Sequence, residues 1–358
     1  MKLGYRFLSF LLACLMCMSL MPLGALAEDE IEAAPAEEAA PEANADAAAA
    51  GDPAVTLVMA EVNPEGSISA QMDQAFKEKV EELSEGKITI DLQLGGTLGD
   101  EEEVMSLLTK PSSSIQLERI SAFTLTSYGC TKSSLLTIPF TFASKDHFWK
   151  FALSPAAQSI LNEPYERGVG IKGLFYGEEG FRHFFATTQL SAPADFEGIK
   201  LRITNDPIMR GVAEGLKTQP VSVGFADLYS ALQIGKAEAA EQPIANYLAN
   251  NFHHIAPYMI LDGHTMGVTE VVITAEAWDS LSENQQKILI EAGKYAGEVC
   301  RKISQEAEDD AKAQLEAEGA VFTAVDDLEP WQEASKVIIE ESAKVAPNLY
   351  REILNLAK

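Results

Sequence analysis

The sequence predicts an α/β fold of two domains, and three observations carry that prediction. Early in the folded part, strand-like and helix-like segments alternate as strand–helix–strand–helix–strand, the pattern of a largely parallel sheet. The chain has 358 residues, and what remains after its leader and spacer is long enough for two domains. Late in the chain a capped periodic segment runs for about 35 residues, about 50 Å as a helix, more than one domain covers.

Taken in order, residues 54–60 (AVTLVMA) read as a buried first strand. Over 65–84 the spacing of Met72, Phe76, Val80 and Leu83 is helical, and Gly86 follows as a stop. KITIDLQL (87–94) alternates as a strand. GGTLGDEEE turns the chain into a helix over 101–109, and 114–123 is a third strand. IPFTFAS (138–144) precedes a helix over 146–162, and a strand follows over 169–176. GEEGFRHFFATT leads to the strand of EGIKLRITNDP, then to a helix over 207–216. PVSVGF leads into a helix over 226–234, with Phe225, Leu228, Tyr229 and Leu232 on one stripe. Residues 264–274 contain the buried run VTEVVIT. Ser282-Glu283-Asn284-Gln285 is a capping box that opens the long helix, which reaches about residue 318. Gly319 ends it, AVFTAV follows as a short strand, and Pro330-Trp331 begins a closing helix. There is no internal repeat.

Two N-terminal segments stand outside that fold. Residues 1–27 combine a basic start (Lys2, Arg6), an apolar run over 7–23 and a small-x-small site, Ala25-Leu26-Ala27. That is a secretory signal peptide, with a retained membrane anchor as the alternative. Leu11-Leu12-Ala13-Cys14 loosely resembles a lipoprotein processing site, but apolar sequence continues past it, which counts against lipidation of Cys14. Residues 28–52 hold nine acidic and no basic residues among Ala and Pro. Such a segment forms an extended, disordered spacer. It suits either solubility or a tether that holds the folded part off a membrane or wall. The expected location is periplasmic or extracellular.

The formal net charge is −27; with the +2 of the signal and the −9 of the spacer set aside, the folded part keeps −20. That field excludes a nucleic-acid phosphate binder. It also repels an anionic ligand unless a local positive cluster overrides it. Cys130 and Cys300 remain after the leader; secretion permits a disulfide, and spacing does not say whether they meet. No CxxC or paired-His spacing points to a metal, and adjacent His253 and His254 are expected to face different ways. Without a nucleophile elbow, a metal-ligand cluster or a phosphate-cradling glycine loop, neither an enzyme nor a cofactor is expected.

Arg202 carries the functional signal. Ile199, Leu201 and Ile203 alternate with Lys200 and Arg202, so both cations could lie on a solvated face. The next residues point elsewhere. Thr204-Asn205-Asp206-Pro207 is an N-cap with proline at the first helical position. A strand end feeding a helix N-terminus is where α/β sheets bind ligands, because free N–H groups and the helix dipole favour an anion. An arginine there adds a rigid fork of donors matched to a carboxylate. Arg182, in EEGFRHFF, also follows a strand; it either supports the site or pairs with Glu178 or Glu179. His183 beside it reads as a hydrogen-bonding or core residue rather than a general base.

GLFYGEEGFRHF (173–184), EGIKLRITNDP (197–207) and VGFADLYSALQIGKAEAAEQP (223–243) resemble, in that order and spacing, the solute-binding subunits of TRAP transporters, the DctP family. PFTF at 139–142 resembles that family's PFLF. KVEELSEGKITIDLQLGGTLGDEEEV near the start and AWDSLSENQQKILIEAGK near the end extend the resemblance over 54–345. It implies a two-domain periplasmic-binding-protein-like α/β fold, two domains around a central cleft with the long helix spanning both. Domain I is expected over 53–179 plus about 269–307, and domain II over 180–268 plus about 308–358. Hinges are expected near 177–180 and 267–270. The implied function is capture of a small organic anion, a carboxylate, by closure of a monomer, and its delivery to a TRAP permease. The rivals are a binding module for a sensor or another permease class, an enzyme acting on an organic acid, and a surface or adhesion protein.

Residue by residue, the resemblance makes Arg202 the partner of the ligand carboxylate and Arg182 the supporting cation. It makes Asn205 a polar ligand contact and Phe225 a pocket wall, with Tyr229 as core. The family's Asp-Gly-Gln-Glu-Asn-Pro reads Glu238-Ala239-Ala240-Glu241-Gln242-Pro243 here. Gln242 thus replaces a ligand-bonding asparagine with an amide one methylene longer. Arg119 is either a third pocket cation or, as the preferred reading, paired with Glu118 outside the site.

Overall fold

In the computed structural model, which describes residues 51–358, the chain begins with the predicted alternation. The signal peptide, Cys14 and nearly all of the acidic spacer lie outside the described residues. β1 (Val55–Ala60), α1 (Ile68–Leu83), β2 (Ile88–Gln93), α2 (Glu101–Leu108) and β3 (Leu117–Ser121) follow one another. Ser67 caps α1 by accepting from the Ala70 amide, and Asp100 with Glu103 forms a capping box on α2. β3 is shorter than expected because Ser121 turns into the N-cap of α3 (Ala122–Thr126). The single helix predicted over 146–162 is two, α4 (Lys145–Ala152) and α5 (Pro155–Glu166). Ser154 caps the second, and Pro155, which lacks an N–H, starts it instead of continuing the first.

β4 (Ile171–Ala186) continues ten residues beyond the predicted strand end at 176. Nearly every residue of that extension is buried, so it lacks the alternation that marks a half-exposed strand. β5 (Lys200–Ile203), α6 (Pro207–Gly215), β6 (Gln219–Ser222), α7 (Leu228–Gln233), β7 (Ala239–Pro243) and α8 (Ile244–Ala249) then repeat the strand–helix rhythm. β6, β7 and α8 are short elements that the sequence pattern does not announce. β8 (Tyr258–Thr274), α9 (Ala275–Ser280), α10 (Glu283–Ala317), β9 (Val321–Ala324), α11 (Glu329–Ser342) and α12 (Pro347–Asn355) complete the fold.

The sheet runs β2-β1-β3-β8-β4-β7-β5-β6, with β9 beside β8. Two parallel triplets, β2-β1-β3 and β7-β5-β6, flank a central antiparallel pair, β4 and β8. The sheet is therefore mixed rather than largely parallel. The central strands are long enough to serve both sides. β3 pairs with residues 269–273 of β8, and β7 pairs with residues 182–186 of β4. Between these stretches the β4–β8 register shifts, from Glu178 to Phe181.

α10 carries 35 residues and changes core along its length. Leu289, Ala292, Ala296 and Cys300 pack with Met72, Phe76, Phe148 and Phe175. Further on, Ala311 and Leu315 pack with Phe185, Leu228 and Tyr247. The length read from the sequence is thus used, one end per core. Cys130 and Cys300 are both free and buried, in separate clusters. Among the described residues no helix is long and apolar enough to cross a membrane.

Candidate ligand-binding cleft

The carboxyl ends of β1, β3, β5 and β7 converge on one cleft, where an open α/β sheet leaves strand ends and helix N-termini uncovered. It is an open cleft of about 340 Å³ with its adjoining solvent counted in, and Asn63, Arg119, Glu179, Arg182, Arg202 and Gln242 line it together with Val62 and Phe225.

Arg202 lies on β5, an interior strand between β6 and β7. Both faces of such a strand are covered, so alternation does not bring its cation to water; Arg202 is 1% exposed. Its Nε donates to the Val223 carbonyl at 2.9 Å. Among the described residues it has no ion-pair partner and no other hydrogen bond, which leaves Nη1 and Nη2 without a protein partner. Burial pulls its pKa down to about 10; Glu241 opposes that fall and Arg182 adds to it.

The other two arginines of the cleft are both paired with carboxylates. Arg119 donates from Nε to Glu61 Oε2 at 2.6 Å, from Nη2 to Glu61 Oε1 at 2.5 Å and from Nη1 to Glu101 Oε1 at 2.9 Å. Arg182 forms a fork on Glu241, Nε to Oε2 and Nη2 to Oε1, the second at 2.9 Å. It also stands 5.2 Å over the Phe123 ring. Burial weighs against both charges, and the neighbouring carboxylates outweigh it, so both guanidinium pKa values are raised.

Behind Glu241 sits a histidine that sequence reasoning missed. His264 Nδ1 is 2.7 Å from Asp262 Oδ2, and its Nε2 is 3.7 Å from Glu241 Oε2. Its ring stacks on Phe184 at 4.2 Å. Burial opposes its charge, but Asp262 and Glu241 outweigh that and push its pKa up to about 9. Burial likewise opposes the Glu241 charge, and Arg182 and His264 reverse it, holding the carboxyl down at about 2.

Arg202, Arg182, Phe225 and Gln242 are brought together on this wall. Asn205 is not: it is exposed and borders a separate surface pocket with Asp206 and Arg210, its carbonyl accepting from Ser127 Oγ. Thr204 lines the cleft instead, because residues two apart share a strand face and the next one points away. Tyr229 borders a neighbouring groove with Phe225 and packs against the core around Leu228. Arg119 does line the cleft, and its partners are Glu61 and Glu101 rather than Glu118, since successive strand residues face opposite ways. Arg182 pairs with Glu241, not with Glu178 or Glu179. His183 accepts from the Gly263 amide at 2.9 Å, as expected of a hydrogen-bonding residue.

His253 and His254 do not face apart. They sit in a short 3-10 turn that follows left-handed Asn251 (φ 57°), with ring centroids 4.0 Å apart and His253 Nε2 2.8 Å from Glu318 Oε2. Glu61, Glu101 and Asn63 are also missed by sequence reasoning. The only available signal for them is an acid or amide at a strand end or in a capping segment.

Residues 59–345 match the family described as bacterial extracellular solute-binding protein, family 7, DctP. The chain belongs to that family. A C4-dicarboxylate-binding periplasmic protein DctP of Shewanella loihica is 27% identical over 68% of this chain and 70% of its own length. Among solved structures, a TRAP periplasmic solute-binding protein of Pseudomonas putida F1 with bound D-glucuronate has a TM-score of 0.80. It is 24% identical and is matched over 84% of this chain and 96% of its own. A TRAP periplasmic solute-binding protein from Bordetella bronchispeptica, with density assigned to pantoate, has a TM-score of 0.79 at 26% identity, covering 84% and 99% of the two chains.

In this DctP-family protein the two triplets also touch at the cleft mouth. Thr126 Oγ1 donates to Asp206 Oδ2 at 2.7 Å. A side chain at Gly224 would come within 2.5 Å of Asp100 Oδ2, so the glycine lets the opposing walls approach.

Proposed function

We propose that this protein captures a small organic anion, a carboxylate, on Arg202 and hands it, as a monomer outside the cytoplasmic membrane, to a TRAP permease. One observation carries the reading. Arg202 is a buried guanidinium with two unpartnered nitrogens, at a strand end that leads into the Asp206-capped helix α6. A buried cation without an acid is unfavourable on its own. In a chain of net charge −27, withholding a direct ion pair from it makes sense when a guest anion supplies the partner. D-glucuronate, bound in one solved structure of this fold, and pantoate, to which density in another is assigned, are both monocarboxylates.

Capture proceeds by closure of two bodies, residues 53–179 with about 269–307 and residues 180–268 with about 308–358. The register shift between Glu178 and Phe181 and the positive φ of Gly180 (95°) support a hinge there. The signal peptide exports the chain, and the acidic spacer, where it serves as a tether, gives reach toward a membrane partner.

Titration calorimetry with D-glucuronate on the wild type, Arg202→Ala and Arg202→Lys tests the site. Removing the fork is expected to cost about 2–5 kcal/mol of binding, with the protein still folded. Lysine does not restore it, because a point charge lacks the planar pair of donors. Wild-type affinity in Arg202→Ala would remove Arg202 from the site.

A further inference from the structure

We infer that the cleft selects a carboxylate whose far end donates hydrogen bonds, through a hydroxyl or ammonium group, and that Glu179 rejects a second carboxylate there. The inference rests on the reading of Arg202 as the carboxylate anchor and adds what the opposite end of the solute must be.

The reason lies in how the charges of the cleft are used. All three nitrogen positions of Arg119 are engaged by Glu61 and Glu101. Both oxygens of Glu61 are taken by Arg119 and Asn63. Both oxygens of Glu101 are taken by Arg119, Ser121 and Thr124. Glu241 is held by Arg182 through both of its oxygens. Two charged groups on the wall are left over. One is Arg202. The other is Glu179, which is buried and forms no ion pair among the described residues. Its Oε1 accepts from Ser69 Oγ at 2.5 Å and from Asn63 Nδ2 at 3.4 Å. Its Oε2 has no hydrogen-bond partner among the described residues and is not among the fully buried atoms, so it faces the open space.

These two groups stand at different places along the sheet. β7 separates β4 from β5, a sideways separation of about 10 Å by strand spacing. Both line the same cleft, so a solute that is anchored by its carboxylate on Arg202 and fills that cleft reaches Glu179. A hydroxyl or ammonium hydrogen there donates to Oε2. A second carboxylate meets the unpaired Glu179 charge there, while the nearby cation on the same strand, Arg182, is already paired with Glu241, and such juxtaposition is the repulsive half of specificity.

The test uses matched pairs that differ only at the far end: galactonate against galactarate, and 4-hydroxybutyrate and 4-aminobutyrate against succinate. Each is titrated calorimetrically into the wild type, Glu179→Gln and Arg202→Ala. Gln keeps an acceptor oxygen for Ser69 and removes the charge. The expected result is that at least one donor-bearing monocarboxylate binds the wild type about tenfold or more tighter than its dicarboxylate partner, and that Glu179→Gln narrows that ratio. Equal or tighter binding of the dicarboxylates, a ratio unmoved by Glu179→Gln, or no binding by any donor-bearing member overturns the inference. Binding that survives in Arg202→Ala overturns instead the carboxylate reading beneath it.

Discussion

Arg119 and Arg202 face one cleft from opposite triplets of the sheet, and neither is more than 2% exposed. Their surroundings differ in kind. Arg119 has two carboxylates and no unused nitrogen, and through them it ties β3 to the residue after β1 and to the first turn of α2. Arg202 has one carbonyl and two nitrogens without a protein partner. Burial alone therefore does not say what a charge is for; the number of partners the chain supplies does. One arginine engages every nitrogen inside the chain, and the other leaves two of its nitrogens unused.

The largest expected effect comes from removing each guanidinium in turn. Arg119→Met leaves Glu61 and Glu101 buried without their cation and is expected to cost about 3–5 kcal/mol in chemical denaturation. Arg202→Met removes a cation that burial already disfavours, as its pKa of about 10 indicates. A base whose folded pKa lies below its unfolded value destabilises the fold while it is charged. The ligand-free Arg202→Met variant should therefore keep its stability or gain about 1–3 kcal/mol, while losing the solute. Equal destabilisation by the two substitutions would erase the distinction.

Arg182 sharpens the comparison because it stands between the two cases: it faces the cleft, and its acid is backed by a further charge, on His264. The folded pKa of His264 is about 9, against an ordinary value near 6.5. Its contribution to stability is fully present below about pH 6.5 and is lost as the pH rises through about 9, up to about 3 kcal/mol in all. His264→Gln should flatten the stability profile across that window, measured by denaturation at stepped pH. A slope unchanged by the substitution would place the titrating group elsewhere.

The same contrast explains what the sequence made legible. Arg202 stands out because its strand runs straight into Thr204-Asn205-Asp206-Pro207, a local signal with a physical meaning. The 35-residue helix is equally local, announced by its capping box and ended by Gly319. The partners of Arg119 and Arg182 are not local. Glu61 is 58 residues from Arg119, and Glu241 is 59 from Arg182, so neither pairing leaves a pattern that a window along the chain can catch. Asn205 and Glu118 show the finer limit. One step along a strand reverses the face, and a resemblance in sequence identifies the segment more readily than the step.

Gly180 provides the smallest effect, and it tests whether the two triplets move as separate bodies. Its φ of 95° suits glycine and strains any other residue, and its amide donates to Glu178 Oε2 at 2.6 Å. A side chain there would come within 3.3 Å of Glu308 Oε2, the end of a flexible group that can yield. Gly180→Ala should therefore cost about 1 kcal/mol in stability through backbone strain rather than collision. The substitution touches neither Arg202 nor the paired arginines, so a purely structural role leaves solute association as fast as in the wild type. A hinge role slows association in stopped-flow fluorescence, because the bend must pass through backbone angles that only glycine adopts cheaply. Unchanged association at the lowered stability would move the hinge away from this bulge.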